Sequence, residues 1–169
     1  KPPTLFLNVY QLREVSMTKL RIKPVNHGST PRDKNRYCGP SVISAITGMT
    51  TGEAAAQLRA ASGKRAIRGT HTSWVRTVLR WNNIEMLSCR DVWNIKLNRT
   101  DGITLAGWLK HTVKDRNADR VFLLVSGWHW QLVQGRRYVC GLTKEIVSIR
   151  DKRVKRRARV AEVYELSRM

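Results

Sequence analysis

The amino-acid order predicts an α+β fold in which N-terminal helices pack on one face of a C-terminal antiparallel sheet. Three observations carry the prediction. Apolar residues recur at helical spacing through the first two thirds of the chain, and from residue 121 onward the pattern changes to short, β-prone runs separated by glycine-bearing turns. No apolar run approaches the roughly 20 residues needed to cross a bilayer. Helices first and strands later favour a sheet with segregated helices over an alternating parallel unit. The 169 residues suffice for one hydrophobic core, and residues 17–169 read as a single domain. The chain begins with Lys1, and residues 1–16, ahead of Met17, read as an N-terminal extension of uncertain status.

Each element follows from local chemistry. Residues 20–25 alternate apolar with basic side chains, as in a short entry strand, before a loop over 26–37 rich in turn formers. Gly39-Pro40 suits the opening turn of a helix, because proline lacks an N–H that would be unpaired there anyway. That helix should end near Gly48. Thr50 and Glu53 have capping-box spacing ahead of a second helix that stops before Gly63. Trp74, Val75, Val78, Leu79 and Trp81 place a third helix over 72–81, with Thr70 or Thr72 as its cap, and residues 84–87 read as a strand. Leu105, Trp108, Leu109, Thr112 and Val113 form the stripe of a fourth helix ending in the polar stretch 114–119. Strands are then expected over 121–125, 128–134, 136–139 and 145–149 as a meander. Beyond 150 the apolar positions Val154, Ala158, Val160, Val163 and Leu166 fit an edge strand or a helix equally.

Composition narrows the function. A formal charge of +20 implies attraction to phosphates or other polyanions that fades with salt. Seven of the ten residues in the segment 150–159 are basic. Arg150, Lys152, Arg153, Lys155, Arg156, Arg157 and Arg159 are therefore the candidate nucleic-acid contacts, and they would act mainly on phosphates, since neither zinc-finger spacing nor a recognition helix accompanies them. Three cysteines without paired spacing do not form a disulfide framework, and no secretory leader pattern is evident, which favours an intracellular setting. His27, His71 and His111 lack ligand spacing, so neither a metal nor a cofactor is expected. Trp74, Trp81 and Trp108 lie on helical stripes and read as core, whereas Trp128 and Trp130 fit either core or the wall of a substrate groove.

Cys38 is the most informative residue. A free cysteine is often mere core filling, and Cys89 and Cys140 read that way. Cys38, however, stands where a loop enters a helix, facing unpaired N–H groups and the positive end of the helix dipole, a setting that favours the thiolate. Later, period-two alternation along Trp128-His129-Trp130-Gln131-Leu132-Val133 puts His129, Gln131 and Val133 on one face and the two tryptophans on the other. A thiolate nucleophile with a histidine proton carrier is the chemistry of acyl transfer.

Cys38-Gly39-Pro40 before a small-residue helix, a second helix, the turn Arg68-Gly69-Thr70 and the late strand Ser126-Gly127-Trp128-His129-Trp130-Gln131-Leu132-Val133 resemble the papain-like cysteine peptidase superfamily. The nearest shapes are bacteriocin-leader-processing peptidases and small phage and prophage proteins of the same motif order. The similarity covers residues 37–141. It implies a papain-like fold with Cys38 as nucleophile, His129 as general base and acid, the Cys38 N–H as one oxyanion donor, and Asn35 as the nearest amide able to supply another. The family's third member, an acid or amide orienting the histidine, would fall where this chain has Tyr138-Val139-Cys140-Gly141. A thiol is a weak acceptor. Asp151 is the next acid able to serve, unless Glu145 or a backbone carbonyl does.

The expectation is thus a small cysteine peptidase or amidase of phage or mobile-element type acting on a peptide or protein substrate, weak or inactive if the third member is lost. It would act in the host cytoplasm or the virion, without a membrane. The alternative is a non-catalytic basic protein on the same scaffold, binding nucleic acid or associated with virion proteins. Fold alone does not decide between them.

Overall fold

The computed structural model describes residues 19–169; the extension read at 1–16 lies outside them. Residues 20–25 keep their alternation of burial, with Leu20 and Ile22 buried, but form no strand. Their backbone is satisfied piecemeal: the Ile22 N–H donates to Gln134 Oε1 at 3.0 Å, Lys23 to the Ala45 carbonyl and Val25 to the Lys144 carbonyl, both at 2.7 Å. An alternating pattern reports one buried side, and an extended segment lying across other elements satisfies it as well as a ladder does.

Helix α1 (Cys38–Thr47) closes at Gly48. Helix α2 (Thr51–Ser62) starts with the expected capping box, in which Thr50 Oγ1 accepts from the Glu53 N–H at 3.1 Å and Glu53 Oε2 accepts from the Thr50 N–H at 2.7 Å. Thr50→Ala is expected to cost about 1 kcal/mol by leaving first-turn donors unpaired; urea unfolding would measure it, and an unchanged midpoint would show the cap to be idle. Helix α3 (Thr72–Trp81) is capped by His71, whose ring accepts from the Ser73 N–H, rather than by either threonine. Strand β1 (Ile84–Ser88) follows. Helix α4 (Leu105–His111) is shorter than its stripe suggested, and Val113 beyond it is 59% exposed.

Strands β2 (Val121–Ser126), β3 (His129–Gln134), β4 (Arg137–Cys140), β5 (Val147–Ser148) and β6 (Val160–Arg168) complete one antiparallel sheet of order β1-β6-β2-β3-β4-β5. β6 is neither a helix nor an edge strand. It runs between β1 and β2, pairing Leu123 with Tyr164 on one side and Met86 with Leu166 on the other.

The sheet is covered on both faces. Val121, Leu123, Val125, Trp130, Leu132 and Val139 share a core with α1, α2 and α3. Phe122, Leu124, Val133, Tyr138 and Cys140 share the other with Leu105, Trp108 and Leu109 of α4. The expectation that all helices lie on one face is therefore corrected, and the cause is visible in β2: all six of its residues are buried, as a strand screened from water on both sides requires. None of the described helices is long and apolar enough to cross a membrane.

Candidate active site

Cys38 is the first residue of α1, preceded by Tyr37 in extended conformation. The N–H groups of Cys38 and Gly39 belong to the first turn, which has no preceding carbonyls to receive them. Two close approaches fix this helix start. A Cβ on Gly39 would lie 2.1 Å from Thr70 Oγ1, and one on Gly141 would lie 2.9 Å from Ser41 Oγ and 3.8 Å from the Cys38 Cα. Only glycine lets the loop at 70 and the exit of β4 come so near the thiol.

His129 opens β3, one residue after a two-residue hairpin turn. Gly127 and Trp128 both adopt left-handed backbone angles, φ +57° and +63°, the geometry that matches strand twist in such turns. Trp128 therefore belongs to the turn and not to the strand face shared with Trp130, as its position in the alternation had implied. Its indole is 74% exposed, with the Arg99 guanidinium 3.6 Å from the ring centre. Trp130 is buried on the α1 side, and its Nε1–H donates to the Thr70 carbonyl at 3.3 Å. His129 and Gln131 share the opposite face, as period two requires.

The backbone at the start of β3 is held by a small polar network. Tyr138 donates its hydroxyl to Gln131 Oε1 at 2.7 Å, and Gln131 Nε2 donates to the carbonyls of Ser126 and His129 at 3.4 and 3.3 Å. Gln131 stands directly across from Cys140, so the imidazole, the amide and the second thiol occupy one patch of the sheet.

The His129 ring thus has a thiol on either side, Cys38 from α1 and Cys140 from β4. Burial disfavours its charge, but Cys140 and then Cys38 outweigh that and raise its pKa to about 9. Burial likewise opposes ionisation of Cys38; His129 and the N–H groups of Trp130 and Cys38 itself overcome it, and the thiol titrates below its ordinary range. Cys140 is brought down to about 7 against its burial by His129, Tyr138 and the Thr143 backbone. His129 Nε2 is buried without a partner in hydrogen-bond geometry. The three groups are adjacent but loosely aligned, as catalytic groups without substrate often are.

The chain matches no protein-family model, no curated protein and no solved structure.

A groove of about 470 Å³ opens on Cys38. Thr70, Trp74, Trp130 and Val125 give it an apolar wall, Trp128 overhangs it, Arg68 and Arg99 bring positive charge, and Glu162 brings one carboxylate, which accepts from the Thr72 hydroxyl at 2.8 Å. Cys38 is half-buried, whereas Cys89 and Cys140 are buried. All three are free. Among the described residues no three His, Cys, Asp or Glu side chains gather as a metal site.

The remaining candidates lie elsewhere. Asn35 does not line the groove; its Oδ1 accepts from the Tyr37 N–H at 2.9 Å and its N–H donates to Thr51 Oγ1, so it shapes the turn into α1. Asp151 is bound by Arg153 through Nε and Nη2 at 2.9 and 3.0 Å, which lowers its pKa to about 2, and it is not among the groups that act on His129. Arg153 also reaches Glu145 at 3.0 Å. Arg159 donates to the Gly102 carbonyl. Arg150, Lys152, Lys155 and Arg157 are exposed and Arg156 half-buried, all in turns between β5 and β6. Cys140 carried no sequence signal beyond its place in the motif, because its acidity comes from neighbours that only the sheet brings together.

Proposed function

We propose that this protein is a small papain-like cysteine hydrolase that cleaves a peptide or other amide through a thioester on Cys38. The observation that supports it is the meeting of Cys38, at a helix start, with His129, at a strand start, at the edge of an open groove. In that arrangement the Cys38 thiolate attacks the substrate carbonyl carbon, and the carbonyl π electrons move to oxygen, which the Cys38 N–H faces. Collapse expels the amine, which takes the proton from the His129 imidazolium. His129 then removes a proton from water, the hydroxide adds to the thioester, and the thiolate departs. Trp128 and Arg99 stand where they can flank the bound chain.

Alkylation followed by peptide mapping tests the pair. At about pH 6 an ordinary thiol is less than about 1% ionised. Cys38 is expected to react with iodoacetamide at least about ten-fold faster than free cysteine there, and His129→Ala should remove that advantage. A Cys38 no more reactive than free cysteine would sink the reading.

A further inference from the structure

On the α4 face of the sheet, away from Cys38, lies a second cavity of about 630 Å³ that shares no lining residue with the groove. Lys110, Arg116, Arg136, Arg150 and Arg156 line it, and no carboxylate does. None of these five cations takes part in an ion pair among the described residues. Arg116 is the telling member. It is only 8% exposed, and a guanidinium so buried is ordinarily paired with an acid. Here its donors go instead to neutral groups, the Thr112 hydroxyl and the carbonyls of Gly135 and Leu109. Burial, and after it the charge of Arg136, disfavours its protonated form. The fold thus gathers like charges around a concavity and leaves them uncompensated.

A second, adjoining hollow is lined by Lys155, Arg156 and Arg157. Arg156 belongs to both. One small anion would fill one of them, whereas a chain of phosphates spans the pair, and planar guanidinium groups suit phosphate oxygens two at a time. The wall formed by Leu109, Val113 and Ile149 offers apolar surface beside the charge, as sugars and bases require.

We propose that the cavity between α4, the β3–β4 turn and the residues after β5 is a phosphate site for a nucleic-acid strand, with Arg136, Arg150, Arg156 and Lys110 as phosphate contacts above a floor made by Arg116. The inference is independent of the chemistry at Cys38. It also redraws the basic segment: Arg153 is occupied by Asp151 and Glu145, while Lys110, Arg116 and Arg136, which lie outside the segment, join the site.

Fluorescence anisotropy with a labelled single-stranded oligonucleotide tests it on the full chain. Arg136→Ser with Arg156→Ser should weaken binding about 30-fold at about 0.15 M salt and lower the salt slope by about two, the amount expected for two lost phosphate contacts. Arg65→Ser with Arg80→Ser removes the same charge from exposed positions outside both hollows and should cost less than about three-fold, since charges beyond about 8 Å are screened. Unchanged Cys38 alkylation would show that both proteins are folded, and Lys110→Ser serves as a second pocket variant. Equal losses in the two doubles, or no strand binding at all, would overturn the proposal. So would tripolyphosphate raising the melting temperature of the parent but not of the pocket double while strand binding stays the same, since the pocket would then take a free polyphosphate.

Discussion

Cys38→Ala is expected to abolish the burst of nitrophenolate that the parent releases from p-nitrophenyl acetate, slowing acylation at least about 10³-fold. An activated ester reports the nucleophile without knowledge of the natural substrate. Cys140→Ala should cost less, on the order of 100-fold, because nucleophile and proton carrier remain and only the group orienting the ring is lost. A neutral thiol would orient it poorly. With its pKa near 7, however, Cys140 is substantially a thiolate at neutral pH, and a thiolate beside an imidazolium does the work of a carboxylate by charge. The signs follow. His129, raised to about 9, keeps its proton through neutrality, so acylation should persist to that region and fall above it. As pH drops through about 7, Cys140 takes up a proton and the ring loses its anionic neighbour, which sets an acid limb. The apparent values belong to the cluster of three groups and not to single residues. Cys140→Asp should move the acid limb to lower pH while keeping the burst. A Cys140→Ala profile identical to the parent would remove Cys140 from the machinery.

The helices were legible because each carries its own punctuation: the Thr50–Glu53 box, the apolar stripe of α3, and Gly48 and Gly63 at the ends of α1 and α2. The place of β6 was not. Its nine residues pair with β1, whose partner residues lie some 80 positions earlier, as in Ile84 with Arg168, and no local pattern states which neighbours a strand will have. The second face of the sheet was hidden for a related reason, since the stripe of α4 says that one side is buried but not against what. At the site, Cys38 and His129 could be picked out because the nucleophile sits at a helix start and the imidazole follows strand alternation. Trp128 escaped because a bulky residue at positive φ is rare enough that the alternation reads straight through it. Cys140 escaped because its acidity arises from His129, Tyr138 and Thr143, which become its neighbours only when β3 and β4 pair.

Trp108→Ala is expected to destabilise the protein by about 3–5 kcal/mol, among the largest losses for any single core truncation. The indole is fully buried and is the centre of an aromatic cluster, 5.9 Å from Trp93 and 5.7 Å from Phe122 with near-perpendicular rings. Those contacts join α4 to β2 and to the segment between β1 and α4, so their loss opens a cavity that two separate pieces of chain must collapse to fill. Trp108→Phe separates packing from polarity. Trp108 Nε1 is buried without a hydrogen-bond partner, an orphaned donor that costs stability in the parent. Phenylalanine removes that cost while keeping most of the apolar contact, and should lose less than half of what alanine loses. The Arg116 guanidinium lies 5.7 Å from the Trp108 ring centre, so truncation also loosens the floor of the basic cavity, and strand binding should weaken along with stability. Cys38 belongs to the other face. Under conditions where the alanine variant is still folded, its alkylation should be unchanged, which would mark the two faces as separately built. Urea unfolding gives the stability, and a loss below about 1 kcal/mol would show that the cluster is not the anchor of the α4 layer.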